Sequence, residues 1–168
     1  MKVWRAFALI GLFVGLSSLF LPWFVSRFSF KGKYEFSYME ALQHLADIGQ
    51  DVGKYSGASL IILSILFCGV SILFGIVGLI AKKLCAVAGS LGLLGGILFY
   101  VGVSVYKSEV ASASILGPFF ASILDSGIGP ILMIISGIIL LISSMLSEQP
   151  LKSETRRESI EASASTLT

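Results

Sequence analysis

Hydrophobic residues in this chain come in long unbroken runs rather than in the amphipathic spacing of a soluble domain. Four runs contain no Asp, Glu, Lys, Arg or His: Ala6–Ser26, Tyr55–Ala81, Leu84–Tyr106 and Ser126–Ser147. Each reaches the roughly 20 apolar residues that a helix rising about 1.5 Å per residue needs to cross about 30 Å of hydrocarbon. The pattern predicts spans over about 6–26, 57–81, 84–106 and 127–146. The fold class expected is all-α membrane, with a transmembrane domain over 1–147 and a polar tail over 148–168.

Within these runs the small residues are periodic. Ala8, Gly11, Gly15, Ser18 and Pro22 recur at steps of three and four, as do Gly57, Ser64, Cys68, Ser71, Gly75 and Gly78 on average. The third run continues the pattern with Cys85, Ala88, Gly92, Gly95 and Gly102, and the fourth is sparser, with Gly129, Ser136 and Ser143. Lipid gives helices no hydrophobic reason to associate, so they hold together by close van der Waals approach, which small residues permit. A mean repeat of 3.5 keeps one stripe facing a partner when helices supercoil left-handedly. A left-handed four-helix bundle is therefore expected, packed through Gly11, Gly15, Ser18, Ser64, Cys68, Ser71, Gly75, Gly78, Ala88, Gly92 and Gly95.

Between the first two runs the pattern changes to alternation. Phe28, Phe30, Tyr34, Phe36 and Tyr38 place an aromatic at every second position on either side of Lys31-Gly32-Lys33, which predicts a β-hairpin with one aromatic face. That face is the candidate partner surface. Ser37 and Glu40 have the spacing of a capping box, and Met39, Leu42, Leu45, Ala46 and Ile48 follow at helical intervals, so a short amphipathic helix is expected over about 38–50. Gly117-Pro118 suggests a second short outer helix with Pro in its first turn, and Asp125 with Ser126 would cap the last span.

Orientation follows from the cations. If the spans alternate, one side receives Lys2, Arg5, Lys82, Lys83, Lys152, Arg156 and Arg157, the other Arg27, Lys31, Lys33, Lys54 and Lys107. The Lys82-Lys83 turn has no acid near it, whereas the opposite loops are diluted by acids, so both termini are expected to be cytoplasmic and the protein to reside in the plasma membrane. Trp4 and Trp23 bracket the first run and are expected at the two membrane interfaces. The first run is longer than a typical signal core and lacks an A-x-A site, so it is expected to be retained.

Composition removes several function classes. The chain has 168 residues, 55% hydrophobic and 13% charged, with a formal net charge of +2; that small charge, without a basic cluster among aromatics, argues against nucleic-acid binding. Ion-coupled transporters usually carry ionisable groups in the membrane, and the runs have none. The one histidine, His44, lies in the outer segment and reads as a solvated helix residue. No Cys-x-x-Cys, paired histidines, phosphate loop or nucleophile with its base appears, so no catalytic residue, no cofactor and no metal is expected, and the protein is read as not an enzyme. Cys68 and Cys85 fall at different depths and are expected to be free thiols. The tail is too polar to pack and reads as disordered.

The layout, with a first span closing on Leu21-Pro22-Trp23, a strand-bearing outer segment, a lysine-only inner turn and an inside tail, resembles that of small tetraspan membrane proteins. Claudin-like proteins share it over most of the chain. The claudin signature, a Gly-Leu-Trp followed by two outer cysteines, is missing, since no tryptophan or cysteine occurs between Phe24 and Phe67. The layout is equally similar to that of small four-span proteins of prokaryotes. These features imply a structural or accessory membrane protein whose partners are the bilayer and other membrane subunits or further copies of itself. The alternative is an oligomeric channel or transporter for an uncharged or weakly polar substrate, lined by Ser and Gly. The two differ in whether the small and hydroxyl residues close on one another within one chain or line a hydrated path.

Overall fold

A computed structural model describes residues 3–26, 34–43, 55–113, 118 and 124–146. The apolar runs become helices because a helix satisfies its own backbone N–H and C=O groups where no water is available. They are α1 (Val3–Phe20), α3 (Ser56–Gly78), α4 (Lys82–Ala113) and α5 (Gly129–Met145). The remaining elements are β1 (Pro22–Ser26), β2 (Tyr34–Ser37), the short α2 (Tyr38–Gln43) and β3 (Leu124–Ser126). The helices α1, α3 and α4 are long and apolar enough to cross a membrane; α5, at 17 residues, is shorter and equally apolar.

Side-chain contacts show that neighbouring helices run antiparallel. From the tight turn outward, Gly78 meets Cys85, Gly92 meets Ser71, Gly95 meets Cys68, Gly102 meets Ile61 and Gly57 meets Tyr106. As the number falls in α3 it rises in α4. The same holds between α1 and α5, where Gly11 faces Leu140 and Gly15 faces Ser136, and between α1 and α3, where Leu12 faces Gly75. The α3–α4 seam is the most extensive, followed by α4–α5 and α5–α1, while α1 touches α3 only slightly.

The two pairs differ in height. Gly15 stands opposite Ile72, so α1 ends at about the level of Phe67, well short of the start of α3 at Ser56. Likewise α5 begins beside Gly96, leaving the rest of α4 beyond it. At about 1.5 Å per residue α4 is roughly 48 Å long and α1 roughly 27 Å. The outer part of the α3–α4 hairpin stands clear of the shorter α1–α5 pair, and the sheet fills that step. Its order is β2-β1-β3, all antiparallel, with Phe24 opposite Phe36 and Ser126, and Val25 opposite Glu35 and Asp125.

Several expectations change. The first span does not run to Ser26: α1 stops at Phe20, because Pro22 has no N–H to donate to the Ser18 carbonyl and cannot extend the ladder. Among the described residues the strand that pairs with β2 is β1; Phe28 and Phe30 lie outside the described residues, as do the side chains of Tyr34 and Phe36. Asp125 and Ser126 do not cap the last helix but form β3. The third helix extends past Tyr106 to Ala113. The outer helix is described over Tyr38–Gln43 only; its expected remainder, His44, residues 119–123 of the second expected outer helix and the tail lie outside the described residues, while Leu124, expected at the end of that second helix, belongs to β3. Trp4 and Trp23, expected at the two membrane interfaces, are both buried within the chain.

Candidate functional site

Side chains are distributed inside out relative to a soluble bundle. The outward positions of the helices carry Phe7, Ile10, Phe13, Leu66, Leu73, Ile76, Leu94, Ile97, Ile135 and Ile138, while the inward ones combine glycine, alanine, serine and cysteine with a few large side chains such as Leu12, Ile65, Phe99, Met133 and Leu140. All eleven expected packing residues, from Gly11 to Gly95, are buried. Each of the 14 glycines among the described residues has a neighbouring atom within 4 Å of where a Cβ would stand. At Gly89 and Gly137 that neighbour is the other's backbone carbonyl, 2.7 Å away. None of these glycines is left open for a second protein.

Three of the five buried serine hydroxyls among the described residues point across the seams to carbonyls, while Ser18 donates to Gly15 O of its own helix at 2.6 Å. Ser136 donates to Gly11 O, Ser143 to Trp4 O and Ser71 to Ala88 O, each at 2.7 Å, and Cys85 Sγ lies 3.2 Å from Gly78 O. A hydroxyl committed in this way has no hydrogen left for a passing solute. Two buried groups lack a hydrogen bond among the described residues: Ser64 Oγ, beside the Cys68 thiol, and Trp4 Nε1. Both thiols are free and buried.

Where β1 meets the helices, an aromatic cluster closes the bundle. Trp23 is fully buried, with its ring edge-on to Phe99 at 5.0 Å and to Tyr38 at 5.2 Å; Phe24 is edge-on to Phe99 at 4.8 Å. Its indole N–H donates to Ser18 O at 2.7 Å. Gly129 starts α5 against the indole ring, where a Cβ would overlap Trp23 Cδ1 and Nε1. Tyr38, expected on the partner surface, is 4% exposed and donates its hydroxyl to Ile65 O at 2.7 Å. It is thus taken out of any partner surface and used to bind α2 to the middle of α3. Among the described side chains of α2, Met39 and Leu42 are the exposed apolar ones.

Two polar devices hold the outer elements. Ser37 and Glu40 form the reciprocal pair of a capping box: Ser37 N donates to Glu40 Oε2 at 2.7 Å and Glu40 N to Ser37 Oγ at 3.3 Å. The N-cap residue of α3, Tyr55, makes no side-chain cap bond; Glu109, on the extension of α4, caps the helix instead. Glu109 Oε1 accepts from Ser56 N at 3.0 Å and from Ser56 Oγ at 2.5 Å, and Oε2 accepts from Gly57 N at 3.0 Å. Glu109 lies beyond the charge-free run, and the Ser56 hydroxyl and these amides hold its pKa below the usual carboxylate range. Lys107 and Asp125 approach to 3.6 Å across the same end.

This arrangement packs helices and fixes a sheet on them; among the described residues no group of three metal-ligating side chains is brought together. No protein-family model matches the chain, and no curated protein matches it. Sequence reasoning located the seam but not the cap at Glu109 or the burial of Trp23; the signals present were the charge at 109 just past an apolar run and the proline preceding Trp23.

Proposed function

We propose that this protein is a four-span membrane protein of the plasma membrane, with both termini cytoplasmic, that serves as a structural or accessory subunit and has no catalytic activity of its own. The observation that carries the reading is that the glycines of all four apolar helices, with the hydroxyls of Ser71, Ser136 and Ser143, close against neighbouring helices within one chain. A seam filled in this way leaves no lining for a solute path, which favours association over transport. Four apolar helices of alternating direction, with Arg5, Lys82 and Lys83 gathered at one end, support four spans and an inside placement of that end.

Because the small-residue seams are used internally, partner recognition falls to the outer elements, and within them to Met39 and Leu42 rather than to Tyr38. The test is blue-native electrophoresis of the solubilised membrane with mass-spectrometric identification of co-migrating chains, for the native protein and for Met39→Asp with Leu42→Asp. The reading expects one complex of fixed stoichiometry containing a second membrane protein or further copies of this one, lost in the double variant. A lone monomer, or a pore-sized oligomer that conducts small solutes when reconstituted, contradicts it.

A further inference from the structure

At the end of the bundle away from the sheet, the described residues carry only cations: Arg5, Lys82 and Lys83. No carboxylate among the described residues pairs with any of them. Here α4 and α5 part around an open cleft of about 460 Å³ lined by Lys82, Lys83, Ala86 and Ser144. Lys82 is held in place by donating to the Leu146 carbonyl at the end of α5, which uses one of the three donors of its ammonium group. Ser144 commits its hydrogen to Leu141 O at 2.6 Å, so the side-chain donors available in the cleft are those of the two lysines.

Two ammonium groups at one cleft with no carboxylate partner among the described residues call for an anion with several acceptor oxygens. Exposed apolar side chains follow beside the cleft along the two helices. Val87 stands one turn from Lys83 on the same face of α4, Leu94 two turns further, and Ile142 and Met145 are exposed on α5. We propose that the Lys82–Lys83 cleft is a binding site for a phosphate-bearing anion, supplied by the headgroup of an anionic phospholipid whose acyl chains lie along Val87 and Leu94. Basic recesses between membrane helices are suited to such headgroups, because the lysines neutralise the phosphate while the chains stay in apolar contact. Arg5 is different: it lies over the Trp4 ring, 5.4 Å from its centroid, outside the cleft lining.

The test uses the purified full-length chain in neutral detergent and does not depend on which side of a membrane this end faces. Binding is read by native mass spectrometry during titration with phosphatidylglycerol, with phosphatidylcholine and with inorganic phosphate, alongside the helical circular-dichroism signal as a check on folding. The expected result is retention of phosphatidylglycerol over phosphatidylcholine. Affinity should fall about fivefold in Lys83→Gln and about thirtyfold in Lys82→Gln with Lys83→Gln, at about one lysine's worth of attraction each. Arg5→Gln, which removes one charge at the same end, should leave affinity unchanged. Saturation by inorganic phosphate alone would assign the site to the free anion, and binding of the lipid only would assign it to the headgroup. Equal losses in Arg5→Gln and Lys83→Gln, or equal retention of both lipids, would overturn the proposal by showing diffuse attraction without a site.

Discussion

The indole N–H of Trp23 donates to the carbonyl of Ser18, the carbonyl that residue 22 would have bonded had it not been proline. Pro22 ends α1 by withholding its donor, and the next residue supplies a replacement from its side chain. One dipeptide therefore both stops the helix and seals its last turn, and it places a buried aromatic at the step between the short and long helix pairs. Trp23→Phe keeps the ring but leaves Ser18 O without a donor. Its expected cost is about 1–3 kcal/mol, read as a lower melting temperature in detergent, with Trp23→Tyr no better.

Gly129 and Trp23 are coupled in the same way. A Cβ at 129 meets the indole ring itself, so Gly129→Ala should displace Trp23. Selective loss of the blue-shifted, quencher-protected part of the tryptophan emission is the expected signature, measured against Trp4→Phe to isolate Trp23.

The charge-free runs were a good guide to which segments are helical and a poor guide to where the helices stop. Trp23 lies in the first run, yet the lack of charge says nothing about the backbone, and Pro22 was the residue that decided it. The burial of Trp23 and Tyr38 was hidden for a related reason. Tryptophan and tyrosine favour the membrane interface, but the unequal helix heights create an inner shelf, and those heights emerge only when the seams are aligned. The three-residue β3 is too short to leave a periodic signal, and Glu109's role depends on α4 continuing beyond its last apolar turn. The packing residues were legible because spacing alone puts them on one face.

Glycines along the seam should differ in tolerance. At Gly137 a Cβ lies 2.7 Å from the Gly89 carbonyl and 2.7 Å from the Leu93 amide nitrogen, both rigid; at Gly75 it lies 3.2 Å from a Leu12 methyl, which can rotate away. Gly137→Ala is expected to cost about 1–3 kcal/mol or to block folding, while Gly75→Ala stays below about 1 kcal/mol. Larger residues override the difference: Gly75→Leu and Gly92→Leu should both lower folding yield, and Leu93→Ile should not.

Glu109 makes the outer end acid-sensitive. Its folded pKa is lowered, so the cap is fully in place above the unfolded carboxylate range, near about 4.3, and is lost as pH falls through the lower folded value. Protection of the Ser56 and Gly57 amides from hydrogen exchange, relative to their intrinsic rates, should fall over that window, and Glu109→Gln should show lower protection at neutral pH and a flatter acid response.

The central claim is that the interior of the apolar helices is a closed seam, and Cys68 provides the most direct probe. The thiol lies in the α3–α4 seam, fully buried against Gly95, and the native chain carries it without engineering. In proteoliposomes, a small water-soluble methanethiosulfonate reagent should leave Cys68 unmodified and react with it only after denaturation. Modification in the folded protein at a rate near that of the denatured chain would mean that water reaches the seam, and would contradict the account.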